Sequence, residues 1–261
     1  MDSNGKIVHL PFELYDKVWG TENTEPWHRN PEGRKIGEIW FAASPQFPLL
    51  VKLLLTSARL SVQVHPNDPY ARKHHDSAGK TEMWHVLRAE PGAEVAIGLR
   101  EPVTKDRLRE TAQSGEIEHL LNWIPARKGD TFFIPAGTIH AIGAGLVMCE
   151  VQQLSDVTYR LYDYGRPREL HLDHAMDVSI PNPYVAPPTT DCEYFQTRIV
   201  PINGSLTLPP PGSNTLHVVL EGAARINGEP FHAGEAWETT PASGLTEIES
   251  PNATLLQTRR P

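Results

Sequence analysis

The chain has 261 residues, 39% of them hydrophobic and 21% charged, which excludes a disordered tail. Its longest apolar stretch, Phe47 to Leu55, is broken by Lys52 and too short to span a bilayer. With 24 basic against 32 acidic residues the net charge is −8, so the chain has no basic footprint for nucleic acid or an anionic membrane surface.

The N-terminal MDSNGKIVHLPFELYDKVWG has no basic n-region, no long apolar h-region and no transit-peptide chemistry, and the expectation is a cytoplasmic protein. The two cysteines, Cys149 and Cys192, are too few for a disulfide framework and are expected as free, buried thiols. The 24 prolines and 19 glycines, set among short Val/Ile/Leu/Phe runs, predict an all-β architecture with many turns. Residues 47–65 hold two strand runs around a Thr-Ser-Ala-Arg turn. Asp68 is expected to cap a short helix, about Pro69 to His75, with Pro69 at its first position. TEMWHVL and AEVAIGL, joined by Pro91-Gly92, predict a hairpin over 81–99. The period changes over Val103 to Trp123, where one or two short helices are expected around Ser114-Gly115. Strands resume at Asp130–Ile134, His140–Ile142 and Leu146–Gln152.

PNPYVAPP, residues 181–188, is the expected linker between two units, 1–180 and 189–261. The second unit repeats the first. WHVLRAEPGAEVAIG (84–98) parallels LHVVLEGAARING (216–228), and GDTFFIPAG (129–137) parallels GEAWETTPASG (234–244). The first copy ends in His140; the second has no histidine there.

Gln63 and His65 share one face of a strand, with Val64 on the other. Glu82 opens the next strand run, after Gly79-Lys80-Thr81. His140 follows a strand and the tight turn Pro135-Ala136-Gly137, which at a barrel rim aims an imidazole inwards. Two imidazole nitrogens and two oxygens from Gln63, His65, Glu82 and His140 suit a borderline divalent metal. Zinc is favoured over iron(II), manganese or cobalt. His74-His75 is expected on an exposed helix rather than at a metal.

Gly129-(x5)-Pro135-x-Gly137-(x2)-His140 resembles the second half of the cupin double motif, found on jelly-roll barrels. The first half of that motif has His-x-His with a Glu a few residues later. Here Gln63 stands in the first position and Glu82 lies 17 residues after His65. In this the chain is similar to the type I phosphomannose isomerases. The resemblance covers about residues 12–176 and includes KVWG, GEIW, LSVQVHPND, GKTEMWHVL, IPAGTIHAIG and CEVQQLSDVTYRLYDYG. Residues 189–261 resemble the family's C-terminal barrel loosely, and the helical insertion of longer members is missing.

The resemblance implies two cupin barrels with short helical insertions: a metal-binding catalytic unit over 1–180 and a degenerate one over 189–261. It also implies interconversion of mannose 6-phosphate and fructose 6-phosphate through an enediol, with one zinc ion per chain. The family's ligands fall on Gln63, His65, Glu82 and His140, and its active-site arginine falls on Arg160. Other pocket positions fall on Trp19, Glu38, Lys52, Ser61, Lys80, Glu150 and Asp156. Lys80, with its pKa lowered by the dication and by burial, would serve as base, with Glu150 as the rival; the sequence leaves that choice open. Arg160, permanently charged, would stabilise the enediolate, and Asp156 would orient it or assist ring opening. Lys52 and Ser61 would hold the phosphate, and Trp19 and Trp40 would form core or pocket wall. Ala141-Ile142-Gly143 lacks the aromatic residue that many relatives place there. Two other readings stay open: another cupin metalloenzyme such as an iron(II) dioxygenase, and a non-catalytic sugar-binding cupin. No nucleic-acid or membrane partner is expected, and the sequence fits a monomer or a homodimer.

Overall fold

Leu49–Leu55, LLVKLLL, is buried at all seven positions, because the sheet it belongs to is covered on both faces. The computed structural model describes residues 9–261, so the first eight residues of the expected 1–180 unit lie outside the described residues. The chain begins with strands β1 (Phe12–Thr21), β2 (Ile36–Phe41), β3 (Leu49–Leu55) and β4 (Val62–Val64), then helix α1 (Asp68–His75). Next come β5 (Glu82–Ala89), β6 (Glu94–Leu99), α2 (Lys105–Ser114), α3 (Ile117–Leu120) and β7 (Leu121–Pro125). They are followed by β8 (Thr131–Ile134), β9 (His140–Ile142), β10 (Leu146–Gln153), β11 (Tyr159–Tyr162) and α4 (Leu172–Val178). The last segment holds β12 (Gln196–Leu208), β13 (Thr215–Glu221), β14 (Ala223–Ile226), β15 (Glu229–His232), β16 (Ala236–Thr239) and β17 (Thr246–Arg259).

The strands form three sheets. The first runs β1-β2-β3-β10-β5-β8, the second β11-β4-β9-β6-β7, and the third β15-β14-β17-β13-β16 with β12 also on β17. Leu54, Trp84, Val86 and Met148 of the first sheet pack against Val95, Ile97 and Ile142 of the second. The other face of the first sheet, with Ile39, Leu53, Met83 and Cys149, packs against Leu216, Val218 and Leu256 of the third. The helices cover the outer face of the second sheet: Leu108, Ala112, Ile117 and Met176 meet Val62, Ala141 and Leu161. Among the described residues, no helix is long and apolar enough to cross a membrane.

Three expectations change. The Pro91-Gly92 turn closes no hairpin, because both edges of β5 are taken by β10 and β8 while β6 pairs with β7 and β9. The turn instead carries the chain from the first sheet to the second. The cap of α1 is Asn67, whose side chain accepts from Tyr70 N at 3.1 Å; Asp68 is committed elsewhere, as described below. Both cysteines are free, but only Cys149 is fully buried. The internal repeat is visible in the neighbours: β5 lies between β10 and β8 as β13 lies between β17 and β16.

Register positions the site. Lys52, Glu150 and Trp84 stand directly opposite one another on β3, β10 and β5. Arg160, Gln63 and His140 do the same on β11, β4 and β9.

Candidate active site

At the floor of the site, Glu82 lies between two imidazoles. His65 Nε2 is 3.5 Å from Glu82 Oε2 and His140 Nε2 is 3.4 Å from Glu82 Oε1. All three residues are buried, with donor atoms within 4.8 Å of one another. His65 Nδ1 donates to Val157 O and His140 Nδ1 to Thr138 O, each at 2.9 Å. A carbonyl only accepts, so both rings present an Nε2 lone pair towards the carboxylate. Burial pushes both imidazoles down, His65 well below the ordinary histidine range and His140 to about 4, so neither carries a proton to offer Glu82. Two neutral nitrogens and a carboxylate, held from behind by backbone carbonyls, form a donor set that fits a divalent metal. Gln63 stands opposite His140 on the adjacent strand. Its Nε2 lies 3.3 Å from His140 Nε2, while its Oε1 accepts from Ser61 Oγ at 3.1 Å.

Two turns hold this floor in place. Gly137 N–H donates to His65 O at 2.8 Å, and Gly137 adopts φ +87°, a left-handed conformation that favours glycine. Gly79 N–H donates to Asp68 Oδ1 at 2.8 Å, and Lys80 N–H donates to Pro66 O at 3.0 Å. A Cβ on Gly79 would lie 2.5 Å from Asp68 N. The QVHPND and GKTE segments are therefore in direct backbone contact, with glycine required at the crossing.

Above the floor opens a cavity of about 450 Å³, lined by nine of the twelve predicted site residues, with His65, Glu82 and His140 enclosed beneath it. Lys80 Nζ lies 2.9 Å from Glu82 Oε2, 3.1 Å from His65 Nε2 and 3.7 Å from Glu150 Oε1. Burial pulls its pKa down, but Glu82 and Glu150 outweigh that and hold it above the ordinary lysine value. Two carboxylates thus face its ammonium, where strand parity had shown only Glu82. Glu150 Oε1 is 3.1 Å from Lys52 Nζ, and Trp84 Nε1 donates to Glu150 Oε2 at 3.1 Å. Burial, with Glu82 nearby, pushes the Glu150 carboxyl up against the pull of both lysines. Lys52 itself is buried on a central strand. Glu38 accepts from Trp40 Nε1 at 2.7 Å; burial raises its carboxyl, yet Lys52 and Lys17 hold it below the usual range.

Arg160 is half-buried, and its pKa is lowered by burial and by nearby Arg168. Its backbone is clamped by His171: Arg160 N–H donates to His171 Nδ1 at 3.1 Å, and His171 N–H donates to Arg160 O at 2.8 Å. The expected Asp156–Arg160 pair does not form among the described residues. Asp156 is exposed on the cavity wall, and a buried carboxylate beyond β11, Asp163, binds Arg168 and Arg166. Lys17, Thr158, Arg168 and His171 also line the cavity and escaped the sequence reading. Lys17 was accessible from strand parity, since it alternates with Trp19 on β1. Arg168 and His171 sit on a loop with no period to point to them. His74 and His75 are exposed on α1, as expected.

The comparisons with known proteins point to one family. Residues 17–97 match the family model of the type I phosphomannose isomerase catalytic domain. A mannose-6-phosphate isomerase of Streptococcus mutans is 40% identical over 202 residues, which cover 70% of this chain and 64% of that protein. The chain thus spans a little under two thirds of that relative. Mannose-6-phosphate isomerase ManA of Bacillus subtilis is 37% identical over 239 residues, covering 81% of this chain and 73% of that one. The crystal structure of the mannose 6-phosphate isomerase from Bacillus subtilis superposes with a TM-score of 0.88 at 26% identity, over 97% of this chain and 99% of that one. A phosphomannose isomerase variant from Salmonella typhimurium shares the fold, with a TM-score of 0.78 at 15% identity over 98% of this chain and 100% of that one. On the extent and identity of these matches, the chain belongs to the type I phosphomannose isomerase family.

Proposed function

We propose that the chain is a metal-dependent aldose–ketose isomerase that interconverts mannose 6-phosphate and fructose 6-phosphate through an enediol. The observation that carries this reading is the buried His65–Glu82–His140 donor set beneath a cavity walled by Lys80, Glu150 and Arg160. Gln63, His65, Glu82 and His140 hold one divalent ion, with zinc the best match to this nitrogen and oxygen set. Gln63 joins through its amide oxygen once the amide turns over, since that oxygen otherwise accepts from Ser61 Oγ. When bound, the ion supplies Lewis acidity that polarises the sugar oxygens as charge develops near C1 and C2.

The isomerisation moves a proton between C2 and C1. Glu150 takes it on its carboxylate, because Lys80, facing Glu82 and Glu150, is a held ammonium and serves as charge partner. Arg160 stabilises the oxyanion with charge-assisted hydrogen bonds. Lys52 and Ser61 stay the candidates for the phosphate, and Trp19 and Glu38 for the sugar wall. Asp156, exposed at the wall, assists ring opening in this reading rather than orienting Arg160. In this reading the three sheets form two cupin barrels, a catalytic one within 1–180 and a degenerate one over 189–261, and the enzyme works in the cytoplasm on a small sugar phosphate.

The test is a coupled assay for fructose 6-phosphate from mannose 6-phosphate on chelated and zinc-reloaded protein. Activity that is lost with the chelator and restored by zinc supports the reading. Activity unaffected by chelation, or absent from zinc-loaded protein, overturns it.

A further inference from the structure

The third sheet carries a polar grid at one end of its inner face. Thr239, Thr215, Arg259 and Gln196 stand opposite one another across β16, β13, β17 and β12. Two residues further in, Trp237, His217, Gln257 and Arg198 form a second row. The next row, Val219, Leu255 and Val200, is apolar and belongs to the core of that sheet. The face therefore changes abruptly from aliphatic to polar, and at the change it opens into a cavity of about 330 Å³. That volume is at the small end of the roughly 300–1,000 Å³ range of small-molecule pockets. It lies in a different sheet from the metal cavity, and the two share no lining residue.

The second row is chemically unfinished. His217 is 3% exposed, yet its Nδ1 has no partner among the described residues, and neither have its row neighbours Trp237 Nε1 and Gln257 Nε2. His217 Nε2 lies 2.8 Å from Thr239 Oγ1, which itself donates to Thr215 O at 3.5 Å. The hydroxyl is thus the acceptor in the first contact, and Nδ1 keeps the lone pair. Of the three, His217 and Gln257 line the cavity and offer an acceptor beside a donor, a pair that a hydroxyl group matches because it both donates and accepts. Trp237 stacks on the imidazole with centroids 4.6 Å apart and planes 7° apart, and so fixes its orientation.

The charge at the rim points to an anion. The cavity is lined by two arginines and no carboxylate, in a chain of net charge −8. Arg198 is paired with Asp191 at 2.8 Å. Arg259 rests only on Gln196 Oε1, at 3.2 and 3.3 Å, and among the described residues it has no carboxylate partner. Its planar fork is suited to a phosphate.

We propose that this cavity is a second ligand site, which binds a small sugar phosphate with its hydroxyls on the His217–Gln257 row and its phosphate on Arg259. The inference stands independently of the isomerase reading.

Hydrogen exchange tests it, because the readout is local. The full chain with zinc is compared with and without glucose 6-phosphate, inorganic phosphate and mannose, each as a separate probe. Glucose 6-phosphate is expected to slow exchange in segments 208–217 and 237–246, wherever else it acts. In Arg259→Glu, an exposed substitution, the half-maximal concentration for that protection is expected to rise about tenfold, as for loss of a charge-assisted contact. His217→Phe, which keeps the stack on Trp237, is expected to weaken protection as well; if it does not fold, Arg259→Glu decides alone. Absence of protection in these segments overturns the proposal, as does protection unchanged in Arg259→Glu. Equal protection by inorganic phosphate or by mannose alone overturns the assignment to a sugar phosphate. Failure of the isomerase assay leaves these outcomes readable, because they come from other segments.

Discussion

The Asp68 carboxylate accepts the Gly79 N–H at 2.8 Å and so ties the loop after His65 to the loop that leads into Lys80 and Glu82. The same oxygen accepts from Gln153 Nε2 at 2.7 Å, at the end of the strand that carries Glu150. One side chain thus joins three segments of the site without touching the cavity.

Asp68→Ala leaves a buried amide unpaired and is expected to cost about 1–3 kcal/mol of stability. Zinc affinity should fall with it, because His65 and Glu82 lose their common anchor. Urea denaturation and a competitive zinc titration measure the two effects. Wild-type values for both would show that the tie is dispensable.

The metal itself is the second prediction. Protein purified without a histidine tag should contain close to one equivalent of zinc by elemental analysis. His140→Ala should lose it, since the change removes one of the two nitrogen donors. A metal content in His140→Ala equal to wild type would remove His140 from the ligand set.

Proton transfer separates Glu150 from Lys80. Glu150→Gln should stop solvent deuterium incorporation at C2 of the sugar phosphate, while Lys80→Ala should slow it and keep it measurable. If exchange continues at the wild-type rate in Glu150→Gln and vanishes in Lys80→Ala, the roles are reversed.

Arg160→Ala should lower turnover by roughly 10²–10³, the usual cost of one preorganised oxyanion donor, with a much smaller change in KM. Arg160→Lys should recover little, because a point charge cannot reproduce the planar fork. A rise in KM with unchanged turnover would make Arg160 a binding residue instead.

Acid stability should report His217. Burial holds its imidazole at about 3 against an ordinary value of 6.5, so between those values the unfolded chain takes up a proton that the fold refuses. Its contribution is complete above the unfolded value and is lost as pH falls through the window, by about 1.4 kcal/mol per pH unit. From pH 7 to pH 5, His217→Phe should therefore lose about 2 kcal/mol less stability than wild type in urea titrations. Equal losses in the two proteins would show that His217 is protonated in the fold.

The floor of the site was legible in the sequence because it rests on local geometry. Strand parity puts Gln63 and His65 on one face, and the Pro135–Gly137 turn delivers His140 at the start of a strand. Helix α1 was legible for the same reason. The repeat between the two halves survived as a repeat of strand neighbours.

Pairing was not legible, because which strand lies beside which is decided by contacts far apart in sequence. TEMWHVL and AEVAIGL look like two arms of a hairpin, yet β10 and β8 occupy both edges of the first arm. Parity showed that Lys80 and Glu82 share a face, but only the fold set Glu150 opposite Lys52 and within reach of Lys80. That placement sets a second carboxylate against the Lys80 ammonium. Arg160 followed the same rule. Its four-residue spacing from Asp156 suggested a partner, but the chain turned Asp156 to solvent and brought His171, just before the next helix, to hold the arginine's backbone. Side-chain direction follows from the pleat of a single strand; the neighbours that set charge and orientation come from packing one sheet against another.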